Sequence, residues 1–497
     1  MEPLQSFPEE ITKLGEIHNG IRDVQTKKGK RDSCPSAPLE ILKSYGKGFK
    51  RLKNRKRIEA TNDTPRVNEA SQGLSTEEIM RIAEKRFIKT STNIVDVVSM
   101  HNPFDVSLSG LSNEEAKKVD LVEFLLASID NVGNQQYDHA SILLDKCDGM
   151  SSSTGNAVQR VVYYFSKALR ERINRETGSI TSQDLEKLRS LSIDEATMAP
   201  TPTVLACLQE LPFFQVARFT GVQTIVENVA EAKKIHVIDI RIRIGEQWTG
   251  LMQALASQSE YPLELLKIKA IGTTYKHLIE DTGKRLERFA QTISLPFCFK
   301  IIMVSDMLDL KEDLFELDDD ETVVIYSGFS LRGPISLPDR LDSVMQAIRN
   351  LNPHIMLVTE RELDTTSSSF INRTIEAVSY FSAYFDCLDA CMGDYPNMIN
   401  KESSLFGEGI RIIIAPREGK EWKSRSAKLD VWRALFARFG MEETELSSSS
   451  FCHTNLVAKK FAGGNSCTLD MDGGSLLIGW KGKPLHSLST WKFVSQK

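Results

Sequence analysis

At 497 residues, 41% hydrophobic and 26% charged, the chain is long enough for two or three domains, or for one large α/β domain with an insertion and a tail. No segment approaches the roughly 18 apolar residues of a membrane span, and the first twenty residues lack the basic start and apolar run of a secretion signal, so an intracellular protein is expected. Eight cysteines without a CxxC pair indicate neither a disulfide framework nor a zinc knuckle, and Cys387 with Cys391, one helical turn apart, is read as core packing.

The net charge of −5 is unevenly placed: residues 1–60 carry an excess of six positive charges, which leaves the rest of the chain at −11. Most of that excess lies in KGFKRLKNRKR, Lys47 to Arg57, where seven basic residues stand without an acid. This run reads as a nuclear import signal carried by Lys50, Arg51, Lys53, Arg55, Lys56 and Arg57, with KKGKR at Lys27 to Arg31 as a second basic group. A solvated, charged tail is the plainer alternative. The Pro, Gly, Ser and Asn content predicts a largely disordered basic region over 1–110, containing at most a short amphipathic helix from Glu77 to Phe87.

Beyond residue 110 the apolar spacing is helical. Leu121, Val122, Leu125, Leu126, Ile129 and Val132 form one stripe, and Val158, Val161, Val162, Phe165, Leu169 and Ile173 form another behind an Asn156–Gln159 cap. A third runs through Val216, Phe219, Val222, Ile225, Val226 and Val229, so 115–232 reads as a helical block. From residue 235 the rhythm changes to β-rich runs: IHVIDI (235–240), LKIKAI (266–271), FKIIMV (299–304), TVVIYS (322–327), HIMLVTE (354–360) and IRIIIA (410–415). Amphipathic helices fit between them, as at Gln247–Ala256 with Trp248, Leu251, Met252 and Leu255 inward. That order predicts a doubly wound, mostly parallel Rossmann-type sheet, with NLVAKKF, SLLIGW and TWKFV closing one edge as antiparallel strands.

A nucleotide site on such a sheet needs glycines after the first strand and an acid ending the second, the former for backbone approach to phosphate and the latter for ribose hydroxyls. Here the turn reads Ile-Arg-Ile-Arg-Ile before Gly245, and the second strand ends in Gly272-Thr273-Thr274. No cofactor is therefore expected, nor a metal, and no catalytic signature such as GxSxG, a P-loop or HExxH occurs. Asp239 is expected to cap the next helix or to pair with Arg241 or Arg243.

The residues carry a resemblance to the plant GRAS family of transcriptional regulators. LVEFLLASIDNVGNQQYDHASILLDKCDGM and the residues after it resemble the first leucine-rich region of that family, about 115–180. IHVIDIRIRIGEQW is similar to the VHIID region (about 200–265), its motif being Ile235, His236, Val237, Ile238 and Asp239. TGKRLERFAQTISLPFCFKII resembles the second leucine-rich region (about 275–307), and SFINRTIEAVSYFSAYFDCLDA with RIIIAPREGKEW the PFYRE region (about 320–415). LLIGWKGKPLHSLSTW is similar to the closing SAW region, 418–497, with Ser489-Thr490-Trp491 where the family has Ser-Ala-Trp. Two departures stand out: Ile240-Arg241-Ile242 replaces the usual Asp-Phe-Asp, and no DELLA sequence occurs, so recognition by a gibberellin receptor is not supported.

The resemblance implies an α-helical cap on a methyltransferase-like core over 111–497, nuclear action, and control of transcription through transcription factors and other GRAS proteins as homo- or heterodimers. DNA contact is then indirect, because the domain after the basic run is acidic. Leu121, Leu125 and Ile129 are candidate interaction residues, although such a stripe is usually core and Leu125 is expected inside with neighbouring cap residues outside; Trp480 and Trp491 are candidates too, although core packing is the expected role of the C-terminal tryptophans, which include Trp422 and Trp432. The acidic run Asp309 to Glu321 is expected to be a solvated loop. The competing readings are an S-adenosylmethionine-dependent small-molecule methyltransferase and a direct sequence-specific DNA binder. Replacing Lys50, Arg51, Lys53, Arg55, Lys56 and Arg57 with alanine is expected to move a fluorescent fusion toward the cytoplasm; unchanged nuclear enrichment would remove the import role.

Overall fold

Helix formation starts upstream of residue 110: α1, Thr76–Thr92, buries Ile79, Met80 and Ala83 against the helices that follow. The computed structural model describes residues 74–92, 110–179, 197–257, 262–392, 396–416, 425–461 and 463–494. The α1 helix is tied to α2, Asn113–Gly133, at their starts. Ser112 and Glu115 form a capping box, and the same Glu115 carboxylate accepts the Leu74 amide at 2.7 Å. After α3 (Tyr137–Met150), α4 (Ala157–Glu176) opens on the expected Asn156–Gln159 box, and Arg160 within it pairs with Asp389. Two short-linked helices follow, α5 (Pro202–Glu210) and α6 (Pro212–Asn228), each with proline in its first turn, where no intrahelical N–H is needed.

The chain then alternates as β1 (Lys234–Asp239), α7 (Glu246–Ala256), β2 (Leu265–Gly272), α8 (Lys276–Thr292), β3 (Phe297–Met303), β4 (Thr322–Gly328), α9 (Pro338–Asn350) and β5 (Ile355–Arg361). These five strands are parallel in the order 3-2-1-4-5, and they read as apolar runs because both faces are covered. Two long helices, α10 (Phe370–Met392) and α11 (Pro396–Ile414), return to the helical block; α12 (Leu429–Arg438), β6 (Met441–Thr444), α13 (Ser448–Ala458), β7 (Cys467–Asp472), β8 (Ser475–Trp480) and β9 (Lys483–Phe493) complete the chain. β9 pairs antiparallel with β5, continues the sheet through β8 to β7, and also takes β6. The result is the doubly wound, methyltransferase-like core with an α-helical cap. One core cluster joins the cap helices to Leu476, Ile478, Trp480, Leu485 and Leu488 of the antiparallel edge, and two others fill the opposite faces of the parallel strands.

Two expected strands are helices. IRIIIA lies in α11, where Ile410 and Ile414 are buried one turn apart while Ile412 between them is 39% exposed, the spacing of a helix and not of a strand. A six-residue apolar run alone does not separate the two. NLVAKKF falls in and just after α13, which Ser447 caps and which buries His453, Thr454, Val457 and Ala458. Two strands were not foreseen, β6 and β7, whose mixed residues and partial exposure give little apolar alternation.

The stripe Leu121, Leu125 and Ile129 is at most 2% exposed and belongs to the core of the cap: Leu125 is inside as expected, and the alternative of an interaction surface on this stripe is corrected. An apolar stripe at helical spacing looks alike whether its cover is the same chain or another. Leu125→Ala is therefore expected to lower unfolding stability by about 2–5 kcal/mol in chemical denaturation, and Leu125→Asp to prevent folding. A soluble Leu125→Asp chain with unchanged melting would contradict the burial.

Candidate functional site

The carboxyl end of β1 is where an open α/β sheet of this order binds ligands, since the chain leaves in opposite directions from β1 and β4. Asp239 ends β1 there with no exposure. One carboxylate oxygen accepts the Arg241 amide at 3.1 Å, and the other accepts the Trp248 indole N–H at 3.0 Å. The bond to the indole joins the last residue of the VHIID motif to the tryptophan of the following Glu-Gln-Trp. Trp248 is itself fully buried and stands edge-on to Tyr326 of β4. Asp239 thus closes its own turn and holds α7 from inside, partly as expected, and it accepts the Arg241 backbone amide as well.

The turn between Asp239 and α7 is filled by its own side chains. Ile240, Ile242 and Ile244 are buried, with Ile242 at 0% exposure, while Arg241 and Arg243 between them are half-buried. The alternating sequence of the turn thus divides into buried isoleucines and half-buried arginines. Helix α8 ties down the carbonyls of the turn: the Thr282 hydroxyl donates to the Arg243 oxygen at 3.0 Å, and Arg285 donates to the Ile244 oxygen. Gly245 follows at φ 70°, where a Cβ would come within 2.9 Å of the Thr282 methyl. This glycine serves the packing of α7 against α8. Glu246 in the first turn of α7 pairs with Arg218 of α6 at 2.8 Å, occupying the helix end that would otherwise favour an anion.

His236 lies two residues into the motif, toward the amino end of β1, opposite Lys267 of β2. Its Nδ1 stands 2.7 Å from Glu321, which also pairs with Lys267. The adjacent Lys269 reaches the Phe315 carbonyl and Glu316, and Glu316 pairs in addition with Lys300 of β3. The acidic run therefore includes an ionic lock over lysines of β2 and β3, where a solvated loop was expected. The remaining motif residues, Ile235, Val237 and Ile238, are core.

Trp480 and Trp491 are also inside, at 1% and 2% exposure, in the packing role expected of them and not as the interface anchors that were the alternative. Their indoles are satisfied within the chain, Trp480 by Asp386 at 2.7 Å and Trp491 by Ser489 at 2.9 Å. Trp432 is buried likewise, donating to the Ala427 carbonyl, while Trp422 lies outside the described residues. The import residues Lys50, Arg51, Lys53, Arg55, Lys56 and Arg57 lie outside them too. Cys387 and Cys391 sit with their sulfurs 3.7 Å apart in the cap core.

Burial pushes the Asp239 carboxyl up to about 7, against the pull of Trp248, the Arg241 amide and Arg243. Burial raises Glu360, at the end of β5, to about 7 in the same way. Between the ordinary carboxyl range and that value the folded state keeps a proton that the unfolded chain has lost. Each group's contribution to stability consequently falls as pH rises through this window and stays low above it. Asp239→Asn, which preserves an acceptor for the Trp248 N–H, is expected to flatten the loss of melting temperature between about pH 5 and pH 8, leaving the part due to Glu360. Asp239→Ala, which strands that N–H, is expected to cost about 1–3 kcal/mol in denaturant unfolding.

Comparison with known proteins agrees with this geometry. The model of the GRAS domain family matches residues 121–492. The chain is 30% identical to the DELLA protein RGL1 of Arabidopsis thaliana over 376 residues, 75% of this chain and 70% of that protein. It is 27% identical to the DELLA protein GAI1 of Vitis vinifera over 392 residues, 78% of this chain, and it spans 64% of the length of that relative. In fold it is similar to the crystal structure of SCL7 from Oryza sativa, with a TM-score of 0.64 at 24% identity over 75% of this chain and 99% of the other. With about three quarters of its length matched, from α2 to β9, the chain belongs to the GRAS domain family.

Proposed function

We propose that this protein is a non-enzymatic nuclear regulator of transcription that works as an interaction scaffold, binding transcription factors and other GRAS proteins and reaching DNA through them. The observation that carries this reading is the filled turn after β1. Its isoleucines are buried, its carbonyls are held by Thr282 and Arg285, and Asp239 is engaged by Trp248, so the groups that would meet a nucleotide's phosphates and ribose are committed to packing. A methyltransferase of this fold needs that turn open to its cofactor. A direct DNA binder needs a basic face, whereas the chain beyond residue 60 carries a net −11.

The partner surface lies on residues other than the buried stripe. Among the described residues of the cap, Ile142 of α3 is 58% exposed, and we assign the contact to the outer face around it. The full chain fused to a heterologous DNA-binding domain is expected to change reporter transcription, and Ile142→Asp to weaken that effect while melting stays as in the parent. S-adenosylmethionine is expected to give no saturable heat in calorimetry at millimolar concentration. A stoichiometric heat with micromolar affinity, or a tethered chain without effect on the reporter, would overturn the scaffold reading.

A further inference from the structure

A hollow of about 70 Å³ lies between the sheet and the cap helices α10 and α11, and it is balanced from within. Arg243, Arg332, Arg361 and His486 line it; Glu360 faces the charge of all three arginines, and Asp239 that of Arg243 as well. It gives a ligand no unpaired charge to recognise. The outer flank of the sheet is different. Of the nine large apolar side chains exposed among the described residues, four fall between 303 and 337: Met303, Leu308, Leu314 and Leu337. Leu308 stands on the rim of an open groove of about 550 Å³ between the β3–β4 connection and α9, whose floor is Leu310 and Ala347, 4% and 5% exposed. Leu314 follows Asp313, another lining residue. The frame is fixed from α9, where Arg340 pairs with Asp306 and the Ser343 hydroxyl donates to the Leu308 carbonyl at 3.4 Å. Exposed leucines grouped on a fixed frame mark a surface made to be covered.

The charges around the groove are one-sided. Glu312 and Asp313 line it, Asp309 and Asp342 flank it, all four exposed, and Lys311 is the one cation among its lining residues. Further along the same acidic run, Glu316, Asp318 and Glu321 are committed to lysines of β2 and β3, whereas Glu312, Asp313 and Asp342 enter no ion pair among the described residues. A second copy of this face would set acid against acid. The complement is a segment that is basic and carries apolar anchors, and the chain itself contains one. In KGFKRLKNRKR, Lys47 to Arg57, Phe49 and Leu52 stand three residues apart among seven cations and no acid. Sixteen residues, 58–73, separate this run from Leu74, where the described fold begins. Extended, they reach about 55 Å, more than twice the radius of gyration of about 22 Å expected for a domain of this size.

We propose that the groove between the β3–β4 connection and α9 binds the chain's own segment Lys47 to Arg57, with Phe49 and Leu52 against Leu308, Leu310 and Leu314 and the cations paired with Glu312, Asp313 and Asp342. Each exposed ion pair is weak alone, but a tether turns the docking into an intramolecular step with a millimolar effective concentration, so a contact too weak to hold two separate molecules closes within one. The contact requires neither the scaffold nor the nuclear reading. Its consequence rests on the latter: a run that serves as an import signal is withheld from its receptor while it occupies the groove.

The test uses the full chain at micromolar concentration, as an equal mixture of nitrogen-14 and nitrogen-15 protein treated with a carbodiimide, which joins an amine to a carboxylate in direct contact. Links from Lys50 or Lys53 to Glu312, Asp313 or Asp342, found by mass spectrometry, are expected within light or within heavy chains alone. In brief digestion of untreated protein, trypsin is expected to cut the run about tenfold more slowly than in the Glu312→Gln/Asp313→Asn/Asp342→Asn variant, the factor for an effective concentration on the order of 1 mM acting on a contact of about 0.1 mM. Leu308→Asn, at a 48% exposed position, is expected to speed that cleavage too, and both variants to melt as the parent does. Should one variant fail to fold, the other decides. Links that join only light to heavy chains would give the groove to the segment of a second copy, and no link to these acids, or equal cleavage rates in parent and folded variant, would leave it without this occupant; each of these results overturns the proposal.

Discussion

A buried carboxylate facing a buried indole sets the geometry of the whole nucleotide end of this sheet. Asp239 must leave water at the end of β1, and it is compensated by two hydrogen bonds, to the Arg241 amide and to Trp248. Those bonds hold the six residues between β1 and α7, 240–245, in a tight turn. Two of the loop's three isoleucines pack into the layers on either side of the sheet: Ile242 joins the cluster with Trp248 and Ile279, and Ile240 the one with Ile271 and Val323. An open, phosphate-binding turn and this packed one are mutually exclusive uses of the same backbone, because buried backbone groups are satisfied once. The departure from the family's usual Asp-Phe-Asp takes on physical meaning here, since apolar residues alternate with arginines so that the fill points inward and the cations point to the mouth.

The second dependence is on β9. By inserting antiparallel beside β5 it carries Ser487, Ser489 and Thr490 into the interior of the sheet and lets β8 and β7 extend an edge beneath the cap. Trp480 fixes that edge through Asp386 of α10, and Asp386 also pairs with Lys481 at 2.7 Å. One turn further along α10, Asp389 pairs with Arg160 of α4. α10 is thus held to the sheet at one point and to another cap helix at a second, which makes Trp480 structural. The hollow that remains under α10 and α11 is the space left over where two separately packed layers meet.

Much of this was legible because the signals were local. The change from helical to strand rhythm near residue 235 follows directly from residue spacing, as do the Asn156–Gln159 cap and the inward face Trp248, Leu251, Met252 and Leu255. The missing phosphate glycines argued against a nucleotide, but that the turn is packed with its own isoleucines is seen only in the fold. What the sequence hid was long-range. IRIIIA satisfies a strand template as well as a helical one, and only the cover over Ile410 and Ile414 decides between them. Whether Leu121, Leu125 and Ile129 faced the same chain or a partner depended on α1, whose amphipathic spacing is visible over Glu77 to Phe87 but whose packing against α2 is not. Lys267 and Lys269 in a buried strand were a visible anomaly, and the acidic run carrying Glu316 and Glu321 was its counterpart, yet nothing in the spacing joined them. Arg243, Arg332, Arg361 and His486 span more than 240 positions, so their convergence on one cavity is a property of the fold and leaves no motif.

The bond between Asp239 and Trp248 can be observed directly. In protein carrying nitrogen-15 tryptophan, the Trp248 indole N–H, assigned by Trp248→Phe, is predicted to exchange slowly with solvent and to shift with a midpoint near the value of about 7 to which burial raises Asp239. In Asp239→Asn it is predicted to remain slow but to lose that titration. An indole N–H that exchanges as fast as one in a solvent-exposed loop, with a shift indifferent to pH, would mean that the turn after β1 is open and that the account of a filled nucleotide mouth is wrong.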